Sequence, residues 1–244
     1  ITGASSGLGR SLALRLAKQG WHVVASARRQ NELDALAAEA EQGRITPWAL
    51  DVVDADAVAT AVEGIEAAHG PIALAVLNAG THQPMTAQQF DRAVVDRLMR
   101  LNVVGAANCL DPLLPRMRGR GHGQVALVAS VAGYRGLPTA AAYSGSKAAA
   151  IAMAESLRPE LEPDGVLMQV VNPGFIKTPL TDKNEFPMPM LMDVEDATTK
   201  LVAGLGRTRF EIVFPRLFCW IVKIYRCLPY ALAMRVARGM RKRT

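Results

Sequence analysis

A single-domain, doubly wound parallel sheet with helices on both faces is the fold that this sequence predicts. Three observations carry it. Short apolar runs alternate with helical patterns along residues 1–214, the rhythm of βαβ units. The run at 72–77 is apolar throughout, as in a strand buried on both faces. A glycine-rich turn at residues 2–9 opens a stretch whose apolar positions keep helical spacing. At 244 residues and 26.2 kDa, the chain can bury a large core as one domain.

The turn reads Thr2-Gly3-Ala4-Ser5-Ser6-Gly7-Leu8-Gly9. Its glycines permit a tight bend and close backbone approach, and the helix behind it offers free N–H groups and a positive dipole end to a pyrophosphate. Such a turn needs a strand before it, so most of the first strand is expected upstream of Ile1. The next strand, 22–27, ends in Arg28-Arg29, and no Asp or Glu occurs between Gly3 and Glu32. In dinucleotide folds an acid in this region holds the adenine ribose diol of NAD, whereas arginine accommodates the extra phosphate of NADP. The sequence therefore predicts NADP(H) in preference to NAD(H), with Arg28 ahead of Arg29. Two cations at a helix start also oppose its macrodipole, a conflict that an anionic ligand resolves.

A helix over 30–42, a strand ending at Asp51-Val52 and a helix through 68 follow. Asp51 then lies at a strand's carboxyl end, where open α/β sheets bind ligands. The strand 72–77 runs into Asn78-Ala79-Gly80, a small turn that lets a flat ligand approach. One long helix is expected over 87–118. Asn102, with Gly105 nearby, interrupts its apolar pattern and suits either a bend or a solvated position.

The strand 124–129 delivers Ser130 at its carboxyl end, and a helix over 140–161 carries Tyr143 and Lys147. Residues four apart stack on one helix face. A free tyrosine titrates near ~10, and a neighbouring cation favours its phenolate; a shift of roughly 3 units needs about 4 kcal/mol. The pair reads as a general acid/base tyrosine tuned by a lysine. Next come the strand 166–171 with Pro173-Gly174 after it, and a loop over 175–192 with Met188, Met190, Leu191 and Met192, side chains suited to adaptable apolar contacts. A helix over 193–205 and a strand over 211–214 complete the domain.

Composition bounds the partners. Hydrophobic residues make up 50% of the chain, mean hydropathy is +0.13 and the net charge is +6. After Glu211 there is no acid, but Arg216, Lys223, Arg226, Arg235, Arg238, Arg241, Lys242 and Arg243 contribute eight positive charges, so the first 211 residues carry a net −2. A body without a basic face excludes nucleic acid as the explanation of the basic pI. Cys109, Cys219 and Cys227 have no metal-ligand spacing and suit a reducing, cytoplasmic setting. No metal is expected. The extension 215–244 has apolar runs too short and too charged to span a bilayer. It suits two short interfacial helices on an anionic membrane, or an extension packing over the substrate cleft or an oligomer partner.

Taken together these motifs resemble the short-chain dehydrogenase/reductase family over about residues 1–214. The resemblance implies a Rossmann-type fold and a reversible hydride transfer between a nicotinamide cofactor and an alcohol/carbonyl pair. It implies that Tyr143 exchanges the proton, that Ser130 hydrogen-bonds the reacting oxygen, and that Lys147 lowers the tyrosine pKa and holds the nicotinamide ribose. Asn102 would kink its helix and support a proton-relaying water. Gly3, Ser5, Ser6, Gly7, Leu8 and Gly9 would form the pyrophosphate turn, Asp51 and Val52 would flank adenine, and Asn78, Ala79 and Gly80 would line the cleft. Pro173, Gly174 and Thr178 would meet the nicotinamide side. It also implies a homodimer or homotetramer built on the two long helices. Two departures stand out: Leu77 replaces the first of a usual asparagine pair, and Ser6 stands where NADP-preferring members carry a basic residue. The small, mostly uncharged segment 131–142 and the Met-rich loop suggest an apolar substrate, a lipid-, steroid- or long-chain-like ketone or secondary alcohol. The alternative is a catalytically silent dinucleotide-binding sensor or membrane-surface scaffold.

Overall fold

The computed structural model describes residues 1–40, 43–184 and 186–240. In chain order the elements are α1 (Gly7–Lys18), β1 (Val23–Ala27), α2 (Gln30–Glu39), β2 (Ile45–Ala49), α3 (Ala55–His69), β3 (Leu74–Leu77), α4 (Arg92–Met99), α5 (Gly105–Gly119), β4 (Gly123–Val128), α6 (Ala141–Leu161), β5 (Val166–Pro173), α7 (Val194–Leu205), β6 (Glu211–Phe214), α8 (Arg216–Cys227) and α9 (Tyr230–Met240). All strand pairs are parallel. β1 pairs with β2, and β3-β4-β5-β6 run side by side.

Ile1 and Thr2 lie between the two groups. Thr2 bridges Ser26 of β1, and its N–H donates to the Val76 carbonyl of β3 at 3.0 Å. The spatial order is therefore β2-β1-(residues 1–2)-β3-β4-β5-β6. The winding direction reverses where the glycine turn leaves the sheet, and α/β sheets bind ligands at this switch point.

Each face of the sheet buries its own core. Leu12, Leu16, Leu33, Leu36 and Leu201 from α1, α2 and α7 cover one side. Val58, Val62, Leu110, Leu113, Met117 and Ile151 from α3, α5 and α6 cover the other. Leu12, Leu33 and Leu36 are at most 1% exposed, and each such leucine contributes about 1.5–3 kcal/mol over exposure. Helix starts are fixed by side chains where the sequence supplies them: Asp54 accepts from Ala57 N at 3.0 Å and Asp91 from Ala93 N at 2.8 Å.

Three expectations change. The single helix over 87–118 is α4, a π-helical turn (Arg100–Val104) and α5, because Asn102 is drawn inward and an extra residue is absorbed around it. The solvated position weighed for Asn102 is replaced by a buried one, 3% exposed. The strand expected to reach Val52 ends at Ala49, leaving Asp51 and Val52 in the loop beyond it. Of the helix expected over 30–42, residues 41 and 42 lie outside the described residues, as do Arg241, Lys242 and Arg243 of the basic tail.

Candidate active site

The site forms at the carboxyl ends of β1, β3, β4 and β5. α1 starts at Gly7, directly after the turn, and no side chain caps its N-terminus. Gly3 and Gly7 adopt positive φ, +67° and +54°, which glycine reaches without strain. A Cβ on Gly3 would lie 2.8 Å from the Ala79 Cα, and one on Gly9 would lie 2.5 Å from both the Gly3 carbonyl oxygen and the Asn78 Nδ2. The turn is packed to backbone contact behind and open in front, so its residues fit a dinucleotide pyrophosphate.

Thr2 and Asn78 hold this turn to β3. Thr2 Oγ1 accepts from the backbone N–H groups of Asn78 (3.0 Å) and Ala79 (3.1 Å). Asn78 Nδ2 in return donates to the carbonyls of Thr2 (3.0 Å) and Gly3 (3.2 Å). Asn78 is thus a brace for the glycine turn as well as a wall of the cleft. Thr178 comes from the other side, its Cγ2 3.2 Å from where a Gly7 Cβ would be.

At the end of β1 the two arginines separate. Arg29 Nη2 donates to Ser5 Oγ at 3.0 Å and lies 3.6 Å from Glu32. Arg28 is exposed and makes no hydrogen bond or ion pair among the described residues. Asp51 stays exposed and accepts from Val53 N at 3.1 Å, while Val52 is buried against Gly105. The Leu50 N–H donates to the Ala27 carbonyl at 2.9 Å, which brings the Asp51 loop beside Arg28.

Ser130, Tyr143 and Lys147 converge. Ser130 is 7% exposed; its Oγ accepts from Ala132 N at 3.1 Å and lies 3.5 Å from the Pro173 carbonyl. Burial raises the Tyr143 pKa above the free value, and a hydrogen bond with Ser130 opposes that rise. Lys147 is 4% exposed and donates to the Val128 carbonyl at 2.8 Å; burial lowers its pKa to about 8. The expectation that Lys147 depresses the tyrosine is therefore not met in the protein alone. Its Nζ is turned to the end of β4, 5.8 Å from the phenol ring centroid, and desolvation of the phenolate dominates.

Asn102 organises the floor. Its Oδ1 accepts from Thr81 N (2.8 Å), and its Nδ2 donates to the Thr81 carbonyl (3.0 Å) and to Ser146 Oγ (2.9 Å). Ser146 Oγ donates to the Tyr143 carbonyl at 2.8 Å. Asn102 thereby connects the loop after Gly80 to the helix turn bearing Tyr143. Gly80 packs closely on this floor: a Cβ there would lie 3.2 Å from Asn102 Oδ1 and 3.4 Å from Lys147 Nζ.

Several participants went unmarked in the sequence reading. Ser146 directly precedes Lys147, and that adjacency was the available signal. His82 is 8% exposed, stands edge-on to Tyr143 with centroids 4.5 Å apart, and shares a 3.2 Å hydrogen bond with Asn184 Oδ1. Burial lowers its pKa. Behind Ser130, Tyr134 donates to Glu211 Oε1, Asn172 Nδ2 donates to the same oxygen at 2.8 Å, and Lys223 of α8 pairs with Oε2. Arg135 Nη1 donates to the carbonyls of Tyr225 (3.1 Å), Arg226 (2.8 Å) and Leu228 (2.8 Å), closing the end of α8. Phe218 lies over Gly174, and its ring is 5.5 Å from Phe175. α8 is thus fastened both to the loop after Ser130 and to the Pro173-Gly174 wall.

The chain is similar to known proteins along most of its length. An oxidoreductase of Myxococcus xanthus is 41% identical over 243 residues, 99% of this chain and 96% of that protein. A short chain dehydrogenase from Burkholderia cenocepacia, solved with NADP, superposes with a TM-score of 0.83 at 27% identity, covering 96% of this chain and 94% of that one. A 3-ketoacyl-(acyl-carrier-protein) reductase from Brucella melitensis, complexed with NADH, gives 0.79 at 28% identity over 87% and 93% of the two chains. The family model described as short chain dehydrogenase matches residues 1–187, which include the glycine turn, Ser130, Tyr143 and Lys147. On this fold, this site and these relatives, the chain belongs to the short-chain dehydrogenase/reductase family of oxidoreductases.

Proposed function

We propose that the protein transfers a hydride between NADP(H) and the carbonyl or alcohol carbon of an apolar substrate. The observation that carries this reading is the meeting of Ser130, Tyr143 and Lys147 beside a glycine turn built for a pyrophosphate. Bound along the turn, NADPH supplies the hydride. Tyr143 Oη gives its proton to the carbonyl oxygen as the alcohol forms, and takes it back in oxidation. Ser130 Oγ donates a hydrogen bond to the same oxygen and fixes its position. Burial keeps the phenol protonated at neutral pH, the form that reduction uses. Lys147 holds the nicotinamide ribose, and its own lowered pKa leaves it ready to exchange a proton near neutrality. Asn102, through Thr81 and Ser146, holds the Gly80 loop against the tyrosine's helix and supports the water of the proton relay.

Preference for NADP(H) is supported by the absence of an acid at the end of β1 and by the uncommitted Arg28. The Burkholderia relative holds NADP and the Brucella one NADH, so the selector must come from this chain's own arginines. An apolar substrate is supported by Phe175, Phe186 and Phe218 together with the methionines of the 175–192 loop. An open apolar groove between α5 and α6, lined by Leu110, Leu114, Met153 and Leu157, supports homodimer or homotetramer assembly through those helices. The reading extends to a cytoplasmic enzyme that meets a membrane through residues 216–240.

The test is oxidation of NADPH by a panel of apolar ketones. Tyr143→Phe is expected to lower kcat by about 10²–10⁴ while NADPH still binds; a variant of full activity would remove Tyr143 from the chemistry. Arg28→Ala is expected to narrow the NADPH-over-NADH preference by about tenfold, the value of one charge-assisted phosphate contact; an unchanged ratio would exclude Arg28.

A further inference from the structure

α8 has two apolar faces, and the protein covers one of them. Cys219 and Val222 join the core beneath, and Tyr225 is buried beside them. On the other side Leu217, Trp220, Ile221 and Ile224 keep the i, i+3, i+4, i+7 spacing of a helix stripe. Trp220 and Ile224 are each 63% exposed. α9 repeats the arrangement, with Tyr230, Leu232, Met234, Val236 and Met240 exposed and Ala233 alone buried. The surface continues onto the 175–192 loop through Phe186, Met190 and Leu191. Phe186 packs on Phe175 at 5.9 Å and Phe175 on Phe218 of α8 at 5.5 Å. Uncovered apolar surface therefore reaches the rim of the cleft. Soluble proteins seldom leave so large a set open unless something binds there.

Charge identifies the occupant. Arg216, Arg226, Arg235 and Arg238 are exposed among these apolar groups, and no acidic residue follows Glu211. A symmetric pairing of two copies through these helices would bring both sets of arginines into one interface with no acidic residue from either tail to meet them. An anionic bilayer satisfies both features, giving headgroups to the cations and its acyl boundary to the apolar stripe. Trp220 and Tyr230 have the amphipathic rings that settle at headgroup depth. With 12 and 11 residues, the two helices are too short to span a bilayer.

We propose that the uncovered sides of α8 and α9 lie in the headgroup layer of an anionic membrane, and that the cleft beside Phe175, Phe186 and Phe218 takes its carbonyl substrate from the lipid phase. The second half rests on the apolar-substrate reading above; the first does not.

The experiment is co-sedimentation of the full chain with phosphatidylcholine vesicles, with and without phosphatidylserine, for the wild type, Trp220→Glu and Ile224→Glu. Both substitutions fall on exposed positions that leave the fold intact, which circular dichroism verifies. The wild type is expected to sediment with the phosphatidylserine vesicles and to be released by salt, since exposed charges are screened. Each variant is expected to bind about tenfold more weakly. Equal sedimentation of wild type and variants, or none of the wild type, overturns the docking. Dimerisation of the wild type in sedimentation velocity, lost in Ile224→Glu with no vesicle binding, also overturns it and assigns the face to a second copy. Turnover separates the two readings. With a water-soluble ketone, wild type and Trp220→Glu are expected to match; with a ketone dissolved in the vesicles, kcat/KM of the variant falls about tenfold. Vesicle binding by a protein inactive on every ketone would leave the docking standing and sink the enzymatic reading. Equal rates on the vesicle-borne ketone would sink the lipid route alone.

Discussion

Removing one carboxylate should loosen the tail and the catalytic serine together. Glu211 is at the start of β6 with three partners: Tyr134 and Asn172 on Oε1, and Lys223 on Oε2. Its side chain is only 22% exposed. Burial pushes its pKa up, but the hydrogen bonds from Lys223, Tyr134 and Asn172 outweigh burial and hold it below the usual carboxylate range. In Glu211→Ala, Lys223 can turn to water, since its side chain is 34% exposed. Tyr134 (7%) and Asn172 (0%) cannot. Two stranded buried donors at about 1–3 kcal/mol each give a loss of about 2–6 kcal/mol. For a chain of this size each kcal/mol moves the melting point by about 2–4 °C, so a drop of about 10 °C is expected by differential scanning calorimetry. Glu211→Gln keeps an acceptor for the two donors and should lose less than half as much. Because Tyr134 and Arg135 directly follow the Ser130 loop, kcat should fall with the melting point while the Kd for NADPH changes little. A melting point within about 2 °C of wild type for Glu211→Ala would refute the reasoning. So would an unchanged kcat in a measurably loosened protein. The sign with pH is fixed: this stabilisation is present above the unfolded carboxylate pKa and fades as pH falls through the lower folded one.

Two further outcomes follow from the geometry. Gly9→Ala forces a methyl to 2.5 Å from the Gly3 carbonyl, backbone that cannot swing aside; at about 1–3 kcal/mol of overpacking, fluorescence titration should show NADPH binding weakened about tenfold or more. Lys147 titrates near 8 when buried and near 10.5 when free, so the unfolded chain binds the extra proton between those values. The Lys147 contribution to stability should therefore be flat below pH 8 and rise from there to about 10.5. Urea unfolding of the cofactor-free protein should show this slope, and Lys147→Met should lack it; equal slopes would disprove the buried lysine.

What could be read from the chain was whatever local spacing encodes. The glycine turn, the Tyr143/Lys147 stack and the arginines after β1 depend on residues only a few positions apart, and the structure brings them to one cleft. The Thr2–Asn78 brace joins residues 76 apart, and the Tyr134–Glu211 bond residues 77 apart; no local pattern announces such pairs. The Arg29–Ser5 bond was equally hidden, because which guanidinium reaches Ser5 depends on the angle at which the chain leaves β1. The tyrosine's raised pKa is a property of the assembled cleft, since desolvation exists only once the neighbours are in place. The tail was read as interfacial or packed, and it is packed on one side with the other left open.

The π turn at Arg100–Val104 is also a matter of phase. Val94, Leu98, Asn102, Ala106 and Leu110 are buried at a repeat of four, longer than the 3.6 of an α-helix, so along a straight helix Leu110 would point about 160° away from Val94. One surplus residue takes back about 100° of that drift and lets both halves of the long rod face inward. Deleting a single residue there would give a more regular helix and a worse enzyme. Either Val94 and Leu98 or Leu110 and Leu113 would rotate off the core, and Asn102 would leave Thr81 and Ser146. The residue count between Met99 and Gly105 is therefore set by the packing on both sides of the turn.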